Sequence, residues 1–585
     1  MITTHSRCSA KTVFRFFQIH AMKQTTREAT LLIAGEAGQG LDTMITILAA
    51  AAVRGGRFVL TSAGYESRIR GGHNNFFIRI GTDEVKAPTE TADILVAFNR
   101  ESVDIHRDAL TERGLVVAGA TYAPDDKRIL AVPYEDMGDT RYTNTAALGV
   151  LGSLLGLEHV IFEELIHKTF GKKDTATATS NIETLARAWS WCDDHPVSFP
   201  DLIPGKPDGA ALVMNGNQAV ALGALAAGVK TCFFYPMSPS TSIALTLAAH
   251  AGDMGVIVEQ AEDEIAAVNM AIGASFAGAH AIVTTSGGGF ALMGEGVSLA
   301  AMTETPLVVC IVQRPGPATG LPTRTEQGDL ELVLHAGHGE FPLTIFSPGD
   351  HTECAELAHR ALQTAARFQG PVFLLSDQYQ ADSIRNVPRD VFERLAPIDH
   401  EIATDAPAAP YRRYADSTSG VSPRLLPGRT EHLVVADSDE HCHDGHITED
   451  LSVRIDMVNK RLRKGEGMAR EAMPPLYCGP EKPDLMLVGW GSTKGAVTEA
   501  ARIFAENNPM KQVATLHFPQ VWPLAPDGFM KYFKRAGKTV IIEGNATGQF
   551  GKLLRRETGF AAHRTILRFD GLPITPRYIL NALED

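Results

Sequence analysis

Cysteine is sparse and unpatterned in this chain of 585 residues. The seven cysteines, scattered from Cys8 to Cys478, form no Cys-x-x-Cys pair and are odd in number. Iron–sulfur clusters need cysteines at defined spacings, so this chain is expected to hold none. Scattered unpaired cysteines are typical of a reducing compartment, and we expect a cytoplasmic location.

A basic surface and a long apolar run are also lacking. A net charge of −14 argues against a general nucleic-acid binder, whose footprint would be a basic face. No apolar stretch reaches the ~18 residues that a membrane helix needs, so no membrane association is expected. One basic cluster, Lys460-Arg461-Leu462-Arg463-Lys464, stands out, and we interpret it as a solvated helix face.

The N-terminal residues contain basic and aromatic side chains without the pattern of a targeting signal. Residues 1–22 include Arg7, Lys11 and Arg15, but they have no continuous apolar core and no small-residue cleavage site. We therefore predict a disordered extension at 1–26, with Met22 as an alternative start of the native protein.

The rest of the chain alternates between strand patterns and helical patterns. Such alternation is typical of α/β folds, and about three to four domains are expected at this length. We predict three doubly wound βα domains at 27–195, 210–383 and 484–585, with a linker at 196–209 and an irregular connecting segment at 384–483. The strands predicted in the first domain, expected to form a parallel sheet, are Ala29–Ala34, Phe58–Thr61, Asn75–Ile80, Ile94–Ala97 and Leu115–Ala118.

One acidic residue stands at the start of an alanine-rich helix pattern. Small residues follow Glu264, and the next strand pattern ends in Ser286-Gly287-Gly288-Gly289. Thiamine chemistry needs a protonatable carboxyl beside a ring nitrogen of the aminopyrimidine, and glycines let backbone approach a flat ring. The alternative is an ordinary buried Ala/Gly helix with an acidic first turn, which helices favour anyway. These residues alone leave both interpretations open.

The flanking segments add a rigid turn and an arginine. Upstream, the strand pattern Thr231–Phe234 runs into Tyr235-Pro236-Met237-Ser238-Pro239-Ser240-Thr241, a proline-stiffened turn with three hydroxyls that opens a helix and can accept an anion. Downstream, the strand pattern Pro306–Val312 leads through Gln313 to Arg314 and a loop rich in proline and glycine. An arginine at a strand end is well placed to pair with a carboxylate.

Together these motifs resemble the alpha subunit of the 2-oxoacid:ferredoxin oxidoreductases, in which a Tyr-Pro-Ile-Thr-Pro-type turn and an arginine hold the substrate carboxylate over thiamine diphosphate. The resemblance implies that Glu264 is the catalytic, cofactor-contacting carboxyl. It also implies that Ser286, Gly287 and Gly288 bind the cofactor. The residues that it assigns to the substrate are Tyr235, Ser238, Pro239, Thr241 and Arg314. Met237 and Ser238 replace the family's usual isoleucine and threonine, but the hydroxyl is retained and the same role is expected.

The resemblance extends over most of the chain. Gly35–Gly40 and Ser67–Gly72 look like the family's gamma subunit, whereas Val488–Ser492 and Glu543–Gln549 look like its transketolase C-terminal-type domain. The three predicted domains would then be, in order, a gamma-type domain, a thiamine aminopyrimidine-binding domain and a transketolase C-terminal-type domain. A gamma segment fused ahead of an alpha segment is the arrangement of 2-oxoglutarate:ferredoxin oxidoreductases, so 2-oxoglutarate is the expected substrate.

The Gly-Asp-Gly motif that holds magnesium and the cofactor's diphosphate is absent from this sequence. The chain therefore offers only the aminopyrimidine half of a site, with no metal site of its own. The resemblance implies that a beta subunit supplies magnesium, the diphosphate contacts and a [4Fe–4S] cluster, in a dimer of heterodimers. The predicted reaction converts 2-oxoglutarate and coenzyme A to succinyl-CoA and carbon dioxide, with ferredoxin as electron acceptor. Pyruvate or a branched-chain 2-oxoacid is the alternative substrate.

Two other motifs suggest rival functions. Gly35-x-x-Gly38-x-Gly40 follows a strand pattern as a dinucleotide-binding turn would, but its spacing differs from Gly-x-Gly-x-x-Gly and no acidic residue stands about 20 positions on. A nucleotide-dependent dehydrogenase is the resulting rival. A non-catalytic scaffold subunit is another, and the presence of Glu264 and Arg314 speaks against it.

His441–His446 contains zinc-ligand residue types, but three consecutive ligands cannot readily converge on one tetrahedral ion, so a polar turn is predicted.

Overall fold

A computed structural model describes most of the chain, namely residues 25–65, 72–123, 128–171, 174–197, 199–203, 205–206, 211–399 and 410–584. The predicted extension at 1–26 lies outside the described residues except for Thr25–Thr26, which form a short strand. Of the Ser67–Gly72 motif, only Gly72 is described.

The N-terminal part contains nine strands and six helices within the described residues. Gly40, at φ +74°, precedes the first helix in the left-handed conformation that glycine tolerates best. The elements are β1 (Thr25–Thr26), β2 (Glu28–Glu36), α1 (Leu41–Arg54), β3 (Phe58–Gly64), β4 (His73–Gly81), β5 (Ala92–Ala97), α2 (Arg100–His106), β6 (Leu110–Gly119), β7 (Ile129–Val132), α3 (Tyr134–Met137), α4 (Thr143–Leu154), α5 (His159–Phe170), α6 (Thr175–Asp194), β8 (Asp201–Leu202) and β9 (Ala211–Asn215).

The central part alternates parallel strands with helices. Asn215 and Gln218 form a reciprocal capping box at the start of its first helix. The elements are α7 (Gly216–Ala226), β10 (Thr231–Phe234), α8 (Thr241–Ala249), α9 (Ala251–Met254), β11 (Ile257–Gln260), α10 (Glu264–Phe276), β12 (Ala281–Thr285), α11 (Gly287–Phe290), α12 (Gly294–Met302), β13 (Leu307–Gln313), α13 (Leu330–Leu334), β14 (Thr344–Phe346), α14 (His351–Phe368), β15 (Pro371–Asp377), α15 (Gln378–Asp382), β16 (Ile384–Pro388) and α16 (Asp390–Arg394).

The C-terminal part begins with a long helix that Asp450 caps through its side chain. Among the described residues, no helix combines the length and apolarity that crossing a membrane requires. The elements are α17 (Leu451–Arg470), β17 (Leu476–Cys478), β18 (Leu485–Trp490), α18 (Lys494–Asn507), β19 (Val513–Phe518), β20 (Gln520–Trp522), α19 (Pro526–Arg535), β21 (Lys538–Glu543), α20 (Gln549–Thr558), β22 (Arg564–Leu567) and α21 (Pro576–Glu584).

The first sheet has the order β7-β6-β5-β2-β4-β3-β16-β9 and is mixed. The half from β7 to β2 is parallel, but β4 pairs antiparallel with both β2 and β3. The prediction of a parallel sheet is therefore wrong for the second half. The connection from Gly64 to His73 is shorter than the dozen or so residues that a parallel crossover needs. The strands β9 and β16, which lie beyond the range predicted for the first domain, complete this sheet.

The second sheet places the ends of three strands beside one another. Its order is β11-β10-β12-β13-β15-β14-β20, and it is parallel from β11 to β14. Every residue of β10, β12, β13 and β15 is buried, because helices cover both faces. Ligands of such sheets bind outside the carboxyl ends of the strands, and β10, β12 and β13 end at the same edge. The third sheet has the order β17-β19-β18-β21-β22.

Three of the four basic side chains in the cluster on α17, those of Lys460, Arg461 and Lys464, are buried, so its interpretation as a solvated helix face is wrong. Lys460 and Lys464 lie one helical turn apart on the same face and both contact Glu304, at 2.7 Å and 2.9 Å. The side chains of Lys460, Lys464 and Glu304 are at most 3% exposed. The segment predicted as irregular thus contains a 20-residue helix that is held by a buried carboxylate.

The polar turn predicted at His441–His446 is confirmed. His441 forms an isolated antiparallel bridge with Ile447, and the Gly445 amide donates to the Cys442 carbonyl at 2.9 Å.

Candidate active site

Glu264 begins α10 at the edge of the second sheet, as the sequence pattern predicts. Asp263 caps the helix by accepting a hydrogen bond from the Ala266 amide at 2.7 Å. The Glu264 side chain is only 4% exposed, and its Oε1 is buried and accepts no hydrogen bond. An unsatisfied buried acceptor costs about 1–3 kcal/mol, which a hydrogen-bond donor from a ligand would remove. Glu262, the neighbouring alternative, is exposed.

The glycines that follow β12 form the short helix α11 rather than an open loop. A Cβ at Gly289 would lie 2.5 Å from Glu264 Oε1, so only glycine allows the carboxyl to lie against this turn. Ser286 Oγ, on the residue that precedes α11, is also buried and has no hydrogen-bond partner. Two unsatisfied polar atoms at one glycine turn fit the polar edge of a flat heterocycle such as an aminopyrimidine. Gly288 is exposed, whereas Gly287 is buried.

Asp329 is a further carboxyl at this turn that the sequence analysis missed. It lies just before α13, and a Cβ at Gly287 would overlap its carboxylate. Its Oδ2 is buried without a partner. Burial raises the pKa of Asp329 to about 6; Glu326 also raises it, and Arg314 opposes the shift. The only sequence signal was an acidic residue at the end of the proline- and glycine-rich loop.

The predicted substrate turn and Arg314 come together at the carboxyl ends of β10 and β13. Arg314 Nη1 donates to the main-chain oxygen of Ser238 at 2.7 Å. Tyr235 and Ser238 are exposed at this edge, whereas Pro239 is buried and Thr241 begins α8. Asn217, which sequence reasoning did not single out, is fully buried and donates to the Pro239 oxygen at 2.8 Å. The turn is therefore held from both sides.

Comparisons with known proteins agree with this geometry. Residues 30–191 match the family model described as "Pyruvate ferredoxin/flavodoxin oxidoreductase". Residues 222–460 match the model "Pyruvate flavodoxin/ferredoxin oxidoreductase, thiamine diP-bdg". The alpha subunit of 2-oxoacid:ferredoxin oxidoreductase from Sulfolobus sp is 30% identical over an alignment that covers 93% of this chain and 94% of that protein. This chain belongs to the 2-oxoacid:ferredoxin oxidoreductase family.

Two further relatives extend the family assignment. A solved 2-oxoglutarate:ferredoxin oxidoreductase from Magnetococcus marinus, with 2-oxoglutarate, coenzyme A and succinyl-CoA bound, superposes with a TM-score of 0.89. It is 29% identical and covers 96% of this chain and 99% of its own. The 2-oxoglutarate oxidoreductase subunit KorA of Mycobacterium tuberculosis is 28% identical, covering 91% of this chain and 88% of that protein. The predicted α/β fold class and the fusion of gamma-type and alpha-type segments are confirmed.

In this member of the oxidoreductase family, exposed apolar side chains lie on β11, on α10 and just after α11. Ile265 and Met270 on α10 are 48% and 39% exposed, on the side of the helix away from its buried residues. Ile257 on the edge strand β11 and Leu292 after α11 are also more than half exposed. Ile265 and Leu292 lie beside the glycine turn, whereas Ile257 pairs with Thr231 at the amino end of the sheet.

Proposed function

We propose that this chain is the subunit of a 2-oxoglutarate:ferredoxin oxidoreductase that binds the aminopyrimidine of thiamine diphosphate. The observation that carries the proposal is the buried, unpartnered Glu264 Oε1 against the glycine turn, within the segment that the thiamine-binding family model matches. The enzyme would convert 2-oxoglutarate and coenzyme A to succinyl-CoA and carbon dioxide, and pass electrons to ferredoxin.

Glu264 has the position needed to hold a proton next to a bound ring. Its burial beside Thr285 and Gly289 excludes water, so a proton shared with a ring nitrogen stays between the two groups. Thiamine diphosphate, when bound, supplies a nucleophilic carbon and an electron sink for decarboxylation. Ser286, Gly287 and Gly288 would line the flat side of the ring.

Arg314 and the turn that it contacts would bind the substrate carboxylate. One Arg314 nitrogen is fixed on the Ser238 oxygen, which leaves the rest of the guanidinium to pair with a carboxylate. The exposed side chains of Tyr235 and Ser238 lie at the same edge, and Pro239 and Thr241 fix the turn ahead of α8. This arrangement orients an anionic substrate toward the glycine turn.

The other half of the site would belong to a beta subunit. The sequence has no Gly-Asp-Gly motif, so the diphosphate and magnesium need ligands from elsewhere. The exposed apolar side chains of Ile265, one residue after Glu264, and Leu292, just after α11, lie next to the glycine turn and suit burial by that subunit. A [4Fe–4S] cluster is assigned to the same partner, because the cysteines here lack cluster spacing. We propose a dimer of heterodimers.

The choice of 2-oxoglutarate follows from relatives and is tested by a substrate panel. The Magnetococcus marinus enzyme and the Mycobacterium tuberculosis subunit both carry 2-oxoglutarate in their names. The chain should be co-purified with the product of the neighbouring gene and assayed for acceptor reduction with 2-oxoglutarate, pyruvate and a branched 2-oxoacid. The highest kcat/KM is expected with 2-oxoglutarate. A preference for pyruvate would show that the substrate assignment is wrong, whereas the assigned reaction class would stand. The absence of turnover with every 2-oxoacid would refute the proposal.

A further inference from the structure

The helical glycine turn α11 is closed on two sides by carboxyls and open on a third. A Cβ at Gly287 would overlap Asp329, and a Cβ at Gly289 would overlap Glu264. Since positions two apart on a helix point in nearly opposite directions, Asp329 and Glu264 lie on opposite sides of the turn. Gly288 between them is exposed, and Ala318 O lies 3.7 Å from where its Cβ would be. The open side is therefore bounded by both carboxyls and by the loop after Arg314.

The Asp329 side chain does not serve the local fold. It precedes α13 without capping it, and its Oδ2 is buried without a hydrogen-bond partner. The main-chain amide of Asp329 donates to Gln313 Oε1 at 3.0 Å, which holds Asp329 beside the end of β13, where Arg314 begins the loop. Because Asp329 Oδ2 accepts no hydrogen bond, no partner fixes the protonation state of this carboxyl. Its effect on the site therefore comes from its charge.

We propose that Asp329 is a positioning residue that sets the pH range in which Arg314 captures an anionic substrate, favouring capture when protonated and opposing it when ionised. The inference rests on the proposed function, because it takes Arg314 as the group that receives the substrate carboxylate. The field of an ionised Asp329 lowers the positive potential around Arg314, whereas the neutral acid leaves that potential intact.

The direction of the effect follows from the groups that surround Asp329. Burial and the like charge of Glu326 raise its pKa to about 6, and the charge of Arg314 opposes that shift. Below pH 6 the carboxyl is neutral and the apparent KM for the 2-oxoacid is low; above pH 6 it is ionised and KM rises. Glu264 lies across the glycine turn, and Glu331, in the first turn of α13, is exposed, so solvent screens its charge.

The test compares Asp329→Asn with wild type in the complete enzyme, with the partner subunit present. For wild type, KM for 2-oxoglutarate should rise about three- to tenfold between pH 5.5 and 7.5, as expected for one charge added several ångströms away. In Asp329→Asn, KM should stay at the low-pH value throughout, with the change in KM rather than in kcat. Calorimetric binding of the unreactive analogue N-oxalylglycine should show the same pH dependence in wild type and none in the variant.

Two further variants separate the charge effect from a structural one. Glu331→Gln, in the first turn of α13, should leave the pH dependence of KM unchanged. Glu326→Gln removes the like charge and should move the midpoint of the KM profile to lower pH, which keeps the proposal testable if Asp329→Asn does not assemble. An Asp329→Asn enzyme that keeps the wild-type pH profile, or loses kcat at unchanged KM, would overturn the inference. If wild type turns over no 2-oxoacid, the proposed function fails, and N-oxalylglycine binding still decides the role of Asp329.

Discussion

Glu264 is the residue on which the proposed chemistry depends most. Glu264→Gln should leave the complex assembled, because the amide has nearly the same shape, but should lower kcat by about two to four orders of magnitude, the usual effect of losing a positioned proton-transfer group. Steady-state acceptor reduction measures the loss, and gel filtration checks assembly.

Glu262 provides the matched control. It lies two residues away and is exposed, so Glu262→Gln should change kcat less than twofold by analogy with other surface substitutions. If Glu262→Gln were the damaging variant and Glu264→Gln the mild one, the assignment of the catalytic carboxyl would be wrong.

Arg314 and Ser238 should affect substrate capture to different degrees. Arg314→Ala removes a charge-assisted contact, roughly twice as strong as a neutral one, and should raise the apparent KM for the 2-oxoacid more than about 30-fold. Ser238 meets Arg314 through its main-chain oxygen, so Ser238→Ala keeps that contact and should cost only about 1–2 kcal/mol, whereas Ser238→Thr should be tolerated. Michaelis constants for the 2-oxoacid and for coenzyme A are measured on each variant. Equal changes in both constants would place these residues at another site.

At the scale of elements, α17 is held by a buried charge cluster. Burial works to raise the pKa of Glu304, but the charges of Lys464 and Lys460 outweigh it and hold the pKa well below its usual range. Arg413 donates to the Glu304 main-chain oxygen at 2.7 Å, so the connecting segment and the central domain meet at this residue. Buried ion pairs are costly to break from one side only, because the remaining charges lose their partner.

In the cluster of Glu304, Lys460 and Lys464, removing one charge should cost more stability than replacing all three charges together. Glu304→Gln leaves two buried ammonium groups unpaired and should lower the free energy of unfolding by about 3–5 kcal/mol. Replacing Glu304, Lys460 and Lys464 together by methionine should recover most of that loss, as found when apolar side chains replace buried ion pairs. Denaturant unfolding measures each variant. The control is Arg470→Gln, which breaks only an exposed pair with Glu466. A triple variant less stable than Glu304→Gln would contradict this account.

The elements that sequence patterns predict well are those fixed by local chemistry. β10 has the predicted bounds, and α10 begins at Glu264, because β10 is a continuous buried strand pattern and Asp263 is a good helix cap. The buried face of α17 was not predictable, since its lysines are countered by Glu304, which is 156 residues distant from Lys460 in sequence. Asp329 was missed for a similar reason: its importance comes from the glycine turn that it meets only in the folded chain.

At the scale of the whole molecule, polar contacts join the gamma-type segment to the rest of the chain. Arg79 in the first sheet pairs with Glu499 on α18 at 2.7 Å, with both side chains nearly buried. Lys494, in the first turn of α18, contacts Asp350 and Glu353 at the start of α14. The two glycine turns, after β2 and after β12, are thus parts of one connected structure, in agreement with relatives that align along nearly the whole length.

The central claim is that this chain holds one half of an active site, and reconstitution tests it most directly. The purified chain alone and the chain mixed with the beta subunit should be compared for thiamine diphosphate binding, cluster absorbance and acceptor reduction with 2-oxoglutarate and coenzyme A. The account predicts a colourless, inactive chain with weak or no cofactor binding, and the appearance of all three properties together on mixing. An isolated, cluster-free preparation of this chain that decarboxylates 2-oxoglutarate with electron transfer to an acceptor would contradict it.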